Sequence, residues 1–174
     1  LIDRLPLRST AQVLTIDNEN PDKAIYVADS ANSATSMATG VVTSIGRIGT
    51  SAGDDKDLEN IVELAHRQGL KTGIVSSASI TDATPASFYA HISTRDCENP
   101  DMMVGTDPYF DMVIDCSPDL KSNGGLGSIS EQLIDSGVHV ALGGGMKHFT
   151  PLAEGSDQTV LELAKESGYQ LVSN

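Results

Sequence analysis

The sequence has neither a long apolar run nor a surplus of basic residues, and these two absences exclude several classes of protein. The apolar stretches, such as residues 138–142, are only a few residues long, whereas a membrane-spanning helix needs roughly 20. We therefore expect no membrane span. Lysine and arginine number 11 against 24 aspartate and glutamate residues, which gives a net charge of −13. Because a chain of that charge repels phosphate backbones, we expect no nucleic-acid partner.

The beginning of the chain lacks two further features. It opens Leu1-Ile2-Asp3-Arg4, without an initiator Met and without the basic, apolar and small-residue order of a signal peptide. We interpret this start as processed or truncated. The 174 residues suffice for one core of ordinary domain size, so residues 1–174 are predicted to form a single region.

Cysteine is scarce, because the chain contains only Cys97 and Cys116. At this point the pair is equally compatible with a bridge and with two free thiols. A bridge would restrict the unfolded chain and stabilise the fold by about 3 kcal/mol, and it would indicate an oxidising compartment.

Short apolar runs alternate along the chain with amphipathic or small-residue stretches. Strands are predicted for the runs at residues 24–28, 72–75, 138–142 and 169–172. Helices are predicted at residues 31–39, 85–91 and 129–135, with one capped by Asp57 that ends at Gly69 and one capped by Asp157 that runs through Glu166. This alternation predicts an α/β fold with a mostly parallel sheet flanked by helices, whose ligands bind at the carboxyl ends of the strands.

Two helix starts carry a specific local signal. Thr84 and Pro85 are predicted to be the N-cap and first residue of their helix, since proline tolerates that position. Ser128 and Glu131 form a capping box. Residues 96–127 have no sustained helical period and many turn formers, so we predict a loop excursion there, with a short strand at 109–114.

Ser30 is the first candidate site residue. It follows an apolar run directly and begins a helix, where free N–H groups and the positive end of the dipole favour an anion. A phosphoryl group on Ser30 would be stabilised at this position. The alternative is that Asp29 or Ser30 is an ordinary helix cap and that the small residues after it serve packing.

Asp82 and Thr84 form the second candidate, just beyond another predicted strand and therefore at the same edge of the sheet as Ser30. A carboxylate and a hydroxyl two residues apart suit a hard cation such as Mg²⁺, which prefers oxygen ligands. The alternative explains Thr84 as a helix cap and Asp82 as a turn residue.

Arg95 is the third candidate. A guanidinium presents a planar fork of donors that can hold two phosphoryl oxygens at once. The alternative is a surface ion pair with Asp96 or a neighbouring carboxylate.

Taken in order, these segments resemble one family, the alkaline phosphatases. Residues 26–35, Tyr-Val-Ala-Asp-Ser-Ala-Asn-Ser-Ala-Thr, resemble the nucleophile signature of that family. Residues 82–86 resemble its magnesium-site segment, and residues 90–97 resemble the segment with the phosphate-binding arginine and the first cysteine of a disulfide. Residues 127–133 and 142–145 fit the same family in the same order. The resemblance implies an alkaline-phosphatase-like fold, of which this chain is an incomplete part.

The resemblance also implies a mechanism, in which phosphate monoesters are hydrolysed through a phosphoserine at a site with two zinc ions and one magnesium ion. Ser30 would be the zinc-activated nucleophile, Arg95 would bind the phosphoryl oxygens, and Asp29 would orient Arg95. Thr84 would ligate magnesium directly, and Asp82 would act mainly through magnesium-bound water.

Further implications of the resemblance concern the protein as a whole. Cys97 and Cys116 would pair, which favours a periplasmic or secreted location. The substrates would be small phosphate monoesters, and the complete enzyme would be a homodimer.

The chain also departs from the family pattern. It lacks the upstream aspartate that bridges zinc and magnesium and the downstream zinc ligands, and its four histidines show no zinc-ligand spacing. We therefore expect the isolated chain to bind zinc poorly and to turn over slowly. The competing hypothesis is a catalytically silent α/β fragment, or a module that binds an anion at the Ser30 helix end.

Overall fold

The structure is a computed structural model that describes residues 12–106 and 111–172. The interpretation of the chain start and the first two residues of the strand predicted at 109–114 lie outside the described residues. Within the described ranges, no helix combines the length and the apolar character needed to span a membrane.

A pair of parallel strands forms the frame on which the site is built. β3 (Gly73–Ser79) pairs with β6 (Val140–Gly144) in the register Val75 to Leu142, and an irregularity precedes the contact of Ser79 with Gly144. Parallel strands need a long crossover, and here it contains two helices and the loop excursion. The pair and its helices make this an α/β fold, as the sequence predicts.

Two small antiparallel ribbons accompany the parallel pair. β1 (Thr15–Ile16) pairs with β2 (Ala24–Ile25), and β4 (Val104–Thr106) pairs with β5 (Val113–Asp115). β5 overlaps the strand predicted at 109–114. The second ribbon and three short 3-10 turns make up most of the excursion; the turns are Pro100–Met102, Ser117–Asp119 and Lys121–Asn123.

Of the predicted strands, one is shorter in the structure and one is not formed. The strand at 24–28 stops at Ile25, and Tyr26 and Val27 are 89% and 72% exposed rather than buried. Residues 169–172 form no strand. Apolar character produces a strand only where a second backbone can hydrogen-bond to it. Among the described strands, β1 pairs with Ala24 and Ile25 alone, and none pairs with residues 26–28 or 169–172.

The helices α1 (Ser30–Thr39) and α4 (Ile129–Asp135) agree with their predictions. α1 ends at Gly40, which adopts the left-handed conformation at φ +77°. α4 begins with the predicted capping box, in which Glu131 accepts a hydrogen bond from the backbone N–H of Ser128 at 3.0 Å.

Two other helices begin later than predicted. α2 (Ile61–Arg67) is capped by Asn60 instead of Asp57, and α5 (Val160–Glu166) is capped by Thr159 instead of Asp157. Both true caps have a glutamate three residues later that bonds back to the cap N–H. Neither predicted cap has one, so the reciprocal capping box decides where each helix begins.

α3 (Ala83–Ala86) differs most from its prediction. Its N-cap is Asp82 rather than Thr84, because the Asp82 Oδ1 atom accepts a hydrogen bond from the N–H of Ala83 at 2.7 Å. The helix ends before residue 91, and Ile92 is extended in an antiparallel bridge with Ile48.

The packing of α1 on α3 brings the two helix starts together. Ala31 and Ala83 are fully buried in the core and carry small side chains, so the helices can approach closely. The buried hydroxyl of Ser87 lies between them, 3.3 Å from the carbonyl of Ala31 and 2.8 Å from that of Ala83. The residues at the starts of the two helices therefore face a common region.

Candidate active site

The first site residues lie at the start of α1. Asp29 Oδ1 accepts a hydrogen bond from the N–H of Asn32 at 3.0 Å, and Asn32 Oδ1 accepts one from the N–H of Asp29 at 2.9 Å. Asp29 is thus a helix cap, as one interpretation of the sequence has it. Ser30 is the first helical residue and is exposed. Its hydroxyl lies at the positive end of the helix dipole and is open to an incoming anion.

The guanidinium of Arg95 contacts this helix start from a distant part of the chain. Nη1 donates to Ser30 Oγ at 2.6 Å and lies 3.4 Å from Asp29 Oδ2. Nη2 donates to Asp82 Oδ1 at 2.8 Å. Among the described residues Arg95 therefore pairs with Asp29 and Asp82, and the surface pair with Asp96 is not formed.

Asp82 and Thr84 lie near the end of β3 where the sequence places them. Asp82 follows the last strand residue by three positions, and its side chain is 44% exposed. Thr84 is exposed within α3, two residues after Asp82. The structure thus brings Asp29, Ser30, Asp82 and Arg95 together, with Thr84 at the margin.

The segment that carries Arg95 is held at both ends. On one side, Ser93 donates from its N–H at 3.3 Å and from its hydroxyl at 2.7 Å to Asp119 Oδ2. Burial raises the pKa of the Asp119 carboxyl above its ordinary value, and the hydrogen bonds from Ser93 oppose that rise. On the other side, Cys97 and Cys116 form a disulfide in which both residues are fully buried. These ties limit the movement of the Arg95 backbone.

Sequence reasoning missed one residue of this site, Gly46. Its N–H donates to Asp29 Oδ2 at 3.3 Å, and its carbonyl accepts from the N–H of Arg95 at 2.8 Å. Both contacts are made by backbone atoms, so residue identity gives no signal for them beyond the glycine itself.

Negative charge predominates in this cluster. One guanidinium faces two carboxylates, those of Asp29 and Asp82. A phosphate dianion at Ser30 would add to that excess, so its binding requires further positive charge, of the kind that divalent cations supply. The oxygen atoms of Asp82, Thr84 and Ser30 are the donor type that Mg²⁺ prefers.

The described residues do not build a zinc site. In the two described ranges, no group of three or more His, Cys, Asp or Glu side chains is placed to hold a metal ion. The two buried histidines have other partners: His91 Nε2 lies 3.2 Å from Glu63 Oε1, and His148 Nε2 lies 3.1 Å from Glu98 Oε2. Of the zinc contacts that the resemblance implies, this chain offers the Ser30 hydroxyl alone among the described residues.

Fold and site together define an α/β protein in which one arginine links a serine hydroxyl at a helix start to a carboxylate just beyond the end of a parallel strand. The family model described as alkaline phosphatase matches residues 1–174. The chain belongs to the alkaline phosphatase family.

Named relatives agree with this assignment. The chain is 40% identical to the alkaline phosphatase of Escherichia coli, over 99% of this chain and 35% of that protein. It is 38% identical to the streptomycin-6-phosphate phosphatase of Streptomyces griseus, over 86% of this chain and 32% of that protein. The chain spans about a third of the length of the curated relatives it matches.

Solved structures support the alkaline-phosphatase-like fold. The cold-active alkaline phosphatase of a Shewanella species superposes with a TM-score of 0.62 at 27% identity, over 86% of this chain and 28% of that chain. A variant of the alkaline phosphatase from the Antarctic bacterium TAB5, with Mg bound, gives a TM-score of 0.58 at 31% identity, over 81% of this chain and 32% of that chain.

Proposed function

We propose that this chain supplies the nucleophile and the phosphate-binding arginine for the hydrolysis of phosphate monoesters. The observation that carries the proposal is the 2.6 Å contact between Arg95 Nη1 and Ser30 Oγ. A donor fork beside a hydroxyl at a helix N-terminus is the arrangement that an enzyme needs to bind a phosphoryl group next to its acceptor. Membership of the alkaline phosphatase family supports the same reaction.

In the first step, Ser30 Oγ attacks phosphorus in line with the ester oxygen. A bond forms between Oγ and phosphorus, the bond between phosphorus and the ester oxygen breaks, and the alcohol departs with the hydroxyl proton. Arg95 donates from Nη1 and Nη2 to two non-bridging oxygens, where negative charge is spread in the transition state. Asp29, 3.4 Å from Nη1, orients the guanidinium.

In the second step, water attacks phosphorus and the bond to Ser30 Oγ breaks, which releases inorganic phosphate and restores the hydroxyl. Arg95 keeps its contacts with the same oxygens throughout. The free N–H groups at the start of α1 favour the bound phosphoryl group over solvent, since they form the positive end of the helix dipole.

We propose that Asp82 and Thr84 would hold a magnesium ion, with Thr84 as a direct ligand and Asp82 acting mainly through bound water. Bound divalent cations, including the zinc ions that the family resemblance implies, would supply the positive charge that a phosphate dianion and a serine alkoxide require. No step is assigned to zinc, because the described residues supply too few of its ligands.

The proposed setting is the periplasm or the outside of the cell, since the bridge between Cys97 and Cys116 suits an oxidising compartment. Small phosphate monoesters are the proposed substrates, in keeping with the exposed Ser30 hydroxyl. The proposal of a homodimer for the complete enzyme rests on the family resemblance alone.

A second candidate function is an anion-binding or catalytically silent module. It is favoured by the absence, in residues 12–106 and 111–172, of any cluster with three metal-ligating side chains. The two candidates differ in turnover. The 174-residue chain alone is expected to hydrolyse 4-nitrophenyl phosphate slowly in the presence of Mg²⁺ and Zn²⁺, and fast turnover by that chain would rule out the silent module.

The nucleophile is tested in the full-length protein with the same substrate. Ser30→Ala is expected to lower kcat by roughly 1,000-fold or more, as the loss of a nucleophile does in other hydrolases. Ser36→Ala is the matched control, because its hydroxyl lies on the same helix and donates only to the carbonyl of Asn32 at 2.9 Å. Full activity in Ser30→Ala would remove Ser30 from the mechanism.

A further inference from the structure

Gly46 connects Asp29, the residue before Ser30, with Arg95, whose guanidinium contacts the Ser30 hydroxyl. Its N–H donates to Asp29 Oδ2 at 3.3 Å, and its carbonyl accepts from the N–H of Arg95 at 2.8 Å. One peptide segment thus holds the helix-capping carboxylate and the backbone that carries the guanidinium. The separation of Arg95 from Ser30 depends on where this segment lies.

The segment that follows Gly46 is itself fixed to α1. The buried hydroxyl of Thr35 donates to the carbonyl of Arg47 at 3.1 Å and accepts from the N–H of Gly49 at 3.0 Å. Thr35 belongs to the helix that begins at Ser30. A shift of the segment relative to this helix would therefore break buried hydrogen bonds, each of which contributes to stability.

The same segment is also fixed to the chain before Arg95. Ile48 and Ile92 exchange two backbone hydrogen bonds, of 3.1 Å and 2.8 Å, and both side chains are fully buried. The backbone of residues 46–49 therefore contacts α1 on one side, through the Thr35 hydroxyl, and the chain that leads to Arg95 on the other.

Glycine is required at position 46 by conformation rather than by space. Its φ is +84°, which side-chain-bearing residues rarely adopt. A Cβ there would meet only the hydroxyl of Thr94, at an ordinary 3.7 Å. Alanine would therefore fit without a clash but would strain the backbone that contacts Asp29 and Arg95. Asparagine tolerates this conformation better than alanine does.

We propose that Gly46 is a positioning residue of the phosphate site, whose N–H and carbonyl set the reach of the Arg95 guanidinium to the Ser30 hydroxyl. The proposal rests on the function proposed above. It assigns no contact with substrate to Gly46, which acts through Asp29 and Arg95.

The test compares three variants of the full-length protein: Gly46→Ala, Gly46→Asn and Gly40→Ala. Gly40 is the matched control, since its φ is +77°, a Cβ there meets nothing within 4 Å, and it caps the far end of α1. Gly46→Ala is expected to raise the inhibition constant of inorganic phosphate and lower kcat/KM by at least about 10-fold, because a shift of roughly 1 Å can cost about 100-fold. Gly46→Asn is expected to fold even if the alanine variant does not, and to change both the inhibition constant and kcat/KM by less than Gly46→Ala does.

Gly40→Ala is expected to lower the Tm to the same extent as Gly46→Ala while changing the inhibition constant of phosphate by less than about 2-fold. Equal effects of the two alanine variants on phosphate inhibition would overturn the positioning role. So would an asparagine variant that binds phosphate no better than the alanine variant, since the loss would then not follow the backbone strain.

A double-mutant cycle with Arg95→Ala separates this proposal from the function on which it rests. When Arg95 is already alanine, Gly46→Ala is expected to produce no further change in phosphate inhibition. Additive losses would overturn the positioning role and leave the function of Arg95 intact. An Arg95→Ala variant with unchanged phosphate inhibition would instead overturn the proposed function of Arg95, and the positioning role with it.

Discussion

Arg95 Nη1 lies 2.6 Å from Ser30 Oγ although 65 positions separate the two residues in the chain. Three separate features produce this contact. Asp29 caps the start of α1. Strand β3 places Asp82 within hydrogen-bond distance of Arg95 Nη2. The carbonyl of Gly46 accepts a hydrogen bond from the Arg95 backbone. The contact therefore depends on the tertiary fold, and disturbing any of the three is expected to alter phosphate binding.

The donor fork of Arg95 predicts a graded loss on substitution. Arg95→Lys keeps the charge but loses the two-pronged geometry, so we expect the inhibition constant of inorganic phosphate to rise by about 10-fold, the effect of roughly one charged hydrogen bond. Arg95→Ala should weaken inhibition further. Steady-state inhibition of the full-length protein provides the measurement, and equal affinities in the lysine variant and the unchanged protein would argue against bidentate binding.

The disulfide predicts a redox-dependent stability. Replacing Cys97 and Cys116 by serine together is expected to lower the free energy of unfolding by about 3 kcal/mol, since the closed loop between them no longer restricts the unfolded chain. Urea denaturation with and without dithiothreitol measures this. The unchanged protein should lose stability in the reductant and the double variant should not. If dithiothreitol lowers the stability of neither protein, the bridge is not formed in solution.

Asp82 predicts a change in magnesium dependence. Asp82→Asn keeps an oxygen that can cap the N–H of Ala83 but removes the charge, so the Mg²⁺ concentration for half-maximal activity should rise by about 10-fold or more. Titration of metal-depleted full-length protein gives this value. Asp157→Asn, at an exposed position near α5, is the control and should leave the magnesium dependence as it is.

His148 predicts a loss of stability in acid. Its Nδ1 accepts from the side-chain amide of Asn99 at 2.9 Å, so the neutral ring donates from Nε2 to Glu98 at 3.1 Å. Burial lowers the pKa of His148 below its ordinary 6.5; Glu98 opposes the shift and Lys147 adds to it. The pKa of His148 is lower in the folded protein than in the unfolded chain. Its contribution to stability is therefore complete above pH 6.5 and is lost as the pH falls through the folded pKa.

The pH dependence of unfolding tests this prediction. Denaturant unfolding of the full-length protein and of His148→Gln should give free energies whose difference shrinks as the pH drops below 6.5. A difference that stays constant, or grows, would contradict the buried neutral state of this histidine.

Local signals predicted part of this fold correctly. The end of the helix predicted at residues 31–39 and the capping box of Ser128 and Glu131 are both encoded within a few residues, where backbone conformation and side-chain hydrogen bonds act directly. The sequence also contains the signals for the starts of α2 and α5. Asn60 and Thr159 each precede a glutamate by three residues, and that signal should have outweighed the lone aspartates.

Such local signals could not predict features that depend on contacts between distant parts of the chain. The apolar residues Tyr26 and Val27 suggest a buried strand, but burial depends on a partner strand whose position the local pattern does not specify. For the site, Ser30 and Arg95 could be chosen by the chemistry of their side chains. Gly46 could not, because its two contacts are made by backbone atoms that every residue has in common.

The central claim is that Ser30 accepts the phosphoryl group. Full-length protein is incubated with a phosphate monoester, quenched in acid during turnover, digested, and mapped by mass spectrometry. We predict one phosphate on the peptide that contains Ser30, located on that residue, and none on the same peptide from Ser30→Ala. Rapid hydrolysis with no phosphorylated Ser30, or with the phosphate on another residue, would contradict the account.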